Sequence, residues 1–101
     1  MASYRLTKAA DDDLDRLFVF GFATFGLEQA DAYVTGLYEC FDELCASPKR
    51  WPAVTHIRAG LRRCVYGSHS IYYRIDPAEI VIMRILGREN PSKQLIKDEW
   101  P

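Results

Sequence analysis

Apolar residues along this chain change their spacing in two places, and those changes divide it into elements. Residues 3–7, SYRLT, form a short strand candidate. Leu14, Leu17, Phe18, Gly21 and Phe25 then recur every three to four residues, which is one face of a helix. Thr7 suits the N-cap of that helix, and Asp11 to Asp13 favour the positive end of its dipole. Gly26 is a usual residue just past a helix end. A second helical set follows at once: Leu27, Ala30, Val34, Leu37, Phe41 and Leu44, widened by Tyr38 and Cys45. Pro48 disfavours helix at Ser47 and stops the element there. The connection around Gly26 is short, so the two helices form an antiparallel hairpin.

Residues 48–60, PKRWPAVTHIRAG, carry two prolines and a glycine and read as a loop. Three strand candidates follow, at 61–66, 69–76 and 79–86. Gly67-Ser68 fits a two-residue hairpin turn, and Asp76-Pro77-Ala78-Glu79 places proline at the second position of the next turn. The last strand, IVIMRIL, is apolar on both faces except at Arg84, so it is central or covered on its second face. Residues 88–101 form a polar tail, expected to be flexible or a short helix.

The reading is a two-layer α+β domain spanning residues 1–101: an N-terminal strand, an antiparallel helix hairpin, then a three-stranded antiparallel meander. One sheet face packs on the hairpin and the other is left open.

Composition narrows the function. With 49% hydrophobic and 27% charged residues, the 101-residue chain fits one globular domain with little core to spare. A net charge of −1 does not mark a nucleic-acid binder. The distribution says more, because the first half is acidic and the middle, from Lys49 to Arg88, is basic. The N-terminus lacks the apolar core of a signal sequence, and no run approaches the roughly 20 apolar residues of a membrane span. A cytoplasmic protein without a membrane partner is expected. Cys40, Cys45 and Cys64 are odd in number, and Cys40 and Cys45 lie about 140° apart around a helix. Small buried thiols are expected, with no metal or cofactor.

Chemistry-bearing residues concentrate in the strands. His69 is the one acid–base candidate there, and a structural histidine bonded to the turn backbone is the expected reading. Alternation puts Arg63, Tyr72 and Arg74 on one sheet face. Such a face holds phosphate or stacks on bases, or it pairs with the carboxylates of an acidic partner. Arg84 sits inside an apolar strand, where a charge requires a partner or an open face. The register of the last hairpin is open by one residue, which leaves the face of Arg84 open too. On the first helix Phe18 and Phe25 fit the core side, while Val19 and Phe20 point away, toward a partner.

In order along the chain, Ala10 with Asp13-Leu14, Gly26 with Gln29-Ala30 and Tyr33, Leu44 with Ser47-Pro48, Leu61-Arg62, His69 to Tyr73 and Ile80 to Leu86 resemble the ParE toxins of the RelE/ParE toxin–antitoxin superfamily. The resemblance implies a helix hairpin on an antiparallel sheet. It implies a toxin that inhibits DNA gyrase, neutralised by a ParD-like antitoxin, in a system of the plasmid-stabilisation kind that touches DNA only through that antitoxin. The RelE branch instead implies a ribosome-dependent messenger RNA endoribonuclease. Against that branch, the third strand reads His69-Ser70-Ile71-Tyr72, with no arginine ahead of the tyrosine, and the segment after the last strand holds no tyrosine. No catalytic residue is therefore expected. Arg63, Tyr72, Arg74, Arg84 and Arg88 are the expected target surface, and Val19, Phe20, Arg74 and Arg84 the expected antitoxin surface.

Overall fold

The computed structural model describes residues 3–87. The element order is β1 (Ser3–Leu6), α1 (Lys8–Phe25), α2 (Leu27–Ala46), β2 (Leu61–Tyr66), β3 (His69–Ile75) and β4 (Glu79–Leu86). The two-layer α+β architecture expected from the periodicities is present, with boundaries within a residue or so of the expected ones. Thr7 caps α1 by accepting a hydrogen bond from the Ala10 N–H, and its own hydroxyl donates to the Met83 carbonyl at 2.9 Å. One threonine thus starts the helix and ties the start to the sheet. The break between the helices rests on Gly26, whose φ of 92° is a conformation other residues avoid.

The sheet order is β1-β4-β3-β2. β4 is central, as its two apolar faces require. β1 pairs with it in parallel, Tyr4 opposite Ile80, while β2, β3 and β4 form the antiparallel meander. The two possible registers of the last hairpin are both used. Tyr73 stands opposite Ile82, but Tyr72 stands opposite Arg84, so one extra residue forms a β-bulge at Met83. The bulge shifts which side chains face the helices: Ile80 and Ile82 do before it, and Ile85 does after it.

The main core joins these isoleucines to Ala10 and Leu14 of α1, to Leu37, Phe41 and Leu44 of α2, and to Ile71 and Tyr73 of β3. Close approach at Gly36 makes room for Tyr66, whose hydroxyl would collide with any Cβ there. Tyr73 donates to the Pro48 carbonyl at 2.7 Å, which fixes the exit of α2.

The second sheet face is not open as expected. Leu61, Tyr72, Val81, Met83 and Leu86 form a separate buried cluster with Val54 and Ile57 from the 48–60 loop. The loop is held along β2 by Arg63 N–H to Pro52 O (3.2 Å), Val54 N–H to Leu61 O (2.8 Å) and Arg62 Nη1 to Trp51 O (2.6 Å). Periodicity alone could not show this, because the covering residues lie in an irregular segment with no repeat. No helix among the described residues is long and apolar enough to cross a membrane.

Candidate functional site

Most of the large apolar side chains that stay exposed belong to the helices, with Val65 and Ile75 exposed on the strands. Val19 and Phe20, expected to point away from the core, are 65% and 67% exposed. Phe25, expected on the core side of α1, is 63% exposed, and Leu27 is exposed as well. Both lie at the tip of the hairpin, on either side of Gly26. A groove of about 420 Å³ runs beneath this rim. Leu17, Phe20, Gly21 and Phe25 of α1 form one wall, and Gln29 and Tyr33 of α2 with Ser68 and His69 of the β2–β3 turn form the other. It continues toward the start of α1 into a smaller recess of about 190 Å³ lined by Asp13, Arg16, Ile85 and Gly87.

The polar wall is a network centred on Tyr33. Its hydroxyl meets the Tyr66 carbonyl at 3.1 Å, the Ser68 N–H at 3.1 Å and His69 Nδ1 at 2.8 Å. A phenol donates once and accepts twice. The Tyr66 carbonyl only accepts and the Ser68 N–H only donates, so satisfying all three partners assigns the proton on Nδ1 to His69. Burial pushes the Tyr33 hydroxyl above its ordinary pKa, opposed by the Ser68 N–H bond. The histidine therefore bonds to an α2 tyrosine, and that tyrosine's hydroxyl also holds the turn backbone through the Tyr66 carbonyl and the Ser68 N–H.

At the narrow end, Asp13 is buried with all four acceptor positions used. Arg84 donates through Nε (2.6 Å) and Nη2 (2.8 Å), the Ile85 N–H adds a bond of 2.9 Å, and Arg16 completes the set. This corrects the expectation for Arg84. Its side chain is 8% exposed and locked to α1, so it does not lie on a recognition surface. The physical reason is the one that flagged it: a charge in an apolar strand must find a counter-charge. Asp13 was missed as that counter-charge because it sits in a run of three aspartates that reads as dipole complement. Its signal was its position, one turn before Leu17 and between Ala10 and Leu14 on the apolar stripe.

The remaining expected residues are spread out. Arg63, Tyr72 and Arg74 do share one face, as the pairs Arg63–Tyr72 and Leu61–Arg74 show. Tyr72 is buried in the second cluster, contrary to an exposed role. Arg63 is exposed and bonds Ser70 Oγ at 3.0 Å. Arg74 is half-buried and grips Asp76 through two bonds, 2.8 and 3.1 Å, which hold the aspartate below the usual carboxylate range. Arg88 lies outside the described residues. Cys64 is buried and Cys40 and Cys45 half-buried, and burial raises all three thiols.

Comparison with known proteins adds the family. A family model described as the ParE toxin of the type II toxin–antitoxin system parDE matches residues 4–91. The chain is 34% identical over 86 residues to Toxin ParE1 of Caulobacter vibrioides, covering 85% of this chain and 88% of that protein. It is 31% identical to Toxin ParE1 of Mycobacterium tuberculosis, over 82% of this chain and 86% of that one. Among solved structures it resembles the chromosomal ParDE toxin–antitoxin system from P. aeruginosa, with a TM-score of 0.75, 25% identity, and 88% and 98% of the two chains covered. The RelBE2 toxin–antitoxin complex of Mycobacterium tuberculosis shares the fold, with a TM-score of 0.67 at 23% identity and 86% and 98% coverage.

Proposed function

The chain belongs to the ParE toxin family of type II toxin–antitoxin systems, and on that footing we propose that it blocks replication in the cytoplasm by binding DNA gyrase and is neutralised by a ParD-like antitoxin. The antitoxin docks in the groove between the hairpin and the β2–β3 turn. One observation carries the reading of a binding protein: the 420 Å³ concave surface is an aromatic groove in which His69, the one imidazole or carboxylate among its described lining residues, is engaged with Tyr33. Cleavage of RNA through its 2′-hydroxyl requires a base, an acid and cations around one phosphate. Arg84 on the central strand is committed to Asp13 instead. The choice of gyrase follows the family resemblance, and the antitoxin follows both that resemblance and the complexes in which similar folds are found.

The test uses the purified chain in two assays. Gyrase supercoiling is expected to fall with added toxin and to recover on addition of the antitoxin. A translation extract is expected to keep its messenger RNA intact. Ribosome-dependent cleavage of the message with unaffected supercoiling would instead identify a ribonuclease of the RelE kind.

A further inference from the structure

Among the described residues, every lysine and arginine outside the segment 49–63 is answered by a carboxylate. Arg5 pairs with Glu79, Lys8 with Asp12, Arg16 and Arg84 with Asp13, and Arg74 with Asp76. The segment itself is built differently. From Leu44 to Ile75 the sequence holds six cations and no aspartate or glutamate. Arg62 donates through Nη1 to the carbonyls of Trp51 (2.6 Å) and Lys49 (3.4 Å). Arg63 donates through Nε to Ser70 Oγ at 3.0 Å, and the Arg50 guanidinium lies 5.0 Å from the centre of the Trp51 ring. These partners are all neutral, so they position the guanidinium groups without cancelling their charge. Lys49, Arg50 and Arg63 are exposed.

The backbone gathers these cations into one strip. Loop 48–60 pairs with the outer edge of β2 through the Ala53–Arg62 bridge and the bond from Arg63 N–H to Pro52 O. Lys49 and Arg50, just past the end of α2, are thereby laid beside Arg62 and Arg63 on the edge strand. The strip begins about 20 Å along α2 from Tyr33, so it is separate from the groove.

Four cations with no carboxylate among them suit a partner whose negative charge is continuous. A duplex backbone carries one charge for about every 1.7 Å of its axis, whereas folded proteins present carboxylates singly and mixed with cations. Binding of single strands needs exposed aromatic rings on which bases stack. Here Trp51 is half-buried and covered by Arg50, and the large exposed aromatic side chains, Phe20, Phe22, Phe25 and Tyr38, all lie on the helices. The strip also offers a loop and a sheet edge, with no helix to enter a major groove, so it reads phosphate and not sequence.

We propose that Lys49, Arg50, Arg62 and Arg63 form a contact site for the phosphate backbone of double-stranded DNA, independent of base sequence and separate from the groove. The toxin then touches DNA itself, beyond any contact made through the antitoxin.

The test is fluorescence anisotropy of the purified, untagged chain with a labelled duplex of about 20 base pairs, in the absence of gyrase and antitoxin. Binding is expected at about micromolar Kd in 50 mM salt and equally for duplexes of unrelated sequence. With three to four phosphate contacts it should weaken about 40- to 150-fold between 50 and 200 mM salt. Arg63→Gln should reduce the slope of log K against log salt by about one. Lys49→Gln, Arg50→Gln and Arg63→Gln combined should weaken binding at least about 30-fold, whereas Lys8→Gln on α1 should stay within about twofold of the parent. Arg62 is left in place because it ties the loop to β2, and circular dichroism checks the fold of each variant. Should the triple variant fail to fold, the salt slopes of the three single variants decide. No binding in 50 mM salt, slopes unchanged by the substitutions, or tighter binding of the single strand would overturn the proposal. So would equal binding of a polyglutamate peptide of the same charge, which would make the strip a site for an acidic protein. Duplex binding of this kind with unaffected supercoiling would leave the site standing and count against the gyrase reading alone.

Discussion

At the scale of single residues, the buried pair of Asp13 and Arg84 holds more of this fold than its two side chains suggest. The carboxylate also takes the Ile85 N–H, so it joins α1 to the backbone just after the bulge. Asp13→Ala leaves the Arg84 guanidinium buried beside α1 without that partner and should lower unfolding free energy by about 3–5 kcal/mol in a denaturant titration. The double variant Asp13→Leu with Arg84→Met removes both charges together and should recover most of that loss. A second expectation concerns alkali. Burial raises Cys64 from its usual 9.0 to about 11 and Tyr73 from 10.0 to about 12. Both groups are neutral when protonated, so the folded chain holds these protons where the unfolded chain has released them. Their contribution is complete below pH 9 and is lost as pH rises, first through 11 for Cys64 and then through 12 for Tyr73. Melting temperature should therefore fall above pH 9, and Cys64→Val should flatten the early part of that fall. Neither residue could be ranked this way from sequence, where both look like ordinary strand positions.

At the scale of elements, the helix hairpin, the meander and the turns were legible because each repeats at its own period and is bounded by glycine or proline. Gly26 and Pro48 mark helix ends, and Gly67-Ser68 marks the turn. What was not legible is what depends on contacts between distant segments. The bulge at Met83 is one case, because either register alone satisfies alternation and only packing on both faces demands the switch. The groove is another: Phe20 was visible as a residue pointing away from the core, but Arg16 and Tyr33 are ordinary helix residues until α2 and the β2–β3 turn are brought beside α1. The 48–60 loop is a third, an irregular segment that serves as the cover of a second core. Val54 is its deepest residue. Val54→Ala should remove about 1–2 kcal/mol of burial and loosen the loop before the sheet. Hydrogen exchange is expected to quicken at Arg63, whose N–H is held by Pro52, while Tyr73 on the central sheet stays protected. Equal quickening at both would mean that loop and sheet open together.

At the scale of the whole molecule, the layers differ in charge. The hairpin segment 8–46 carries nine carboxylates against two cations, and the rest of the chain has the opposite balance. A partner approaching from solution meets an acidic helical side and a basic remainder, so its orientation is biased before contact and the association rate should depend on salt. The parallel pairing of β1 with β4 bears on something different, the order in which the protein comes into being. A chain made from its N-terminus exposes residues 3–6 early, yet their partners are residues 79–82. Thr7 waits in the same way for Met83, and Asp13 waits for Arg84. A nascent toxin can form its hairpin, but it has no central strand until residues 79–86 have been made. Expressed as residues 1–78, the chain is expected to show helical circular dichroism, no cooperative melt and no growth inhibition. Synthesis interrupted before residue 79 should thus yield a harmless fragment, because the strand that β1, Thr7 and Asp13 all lean on has not been made.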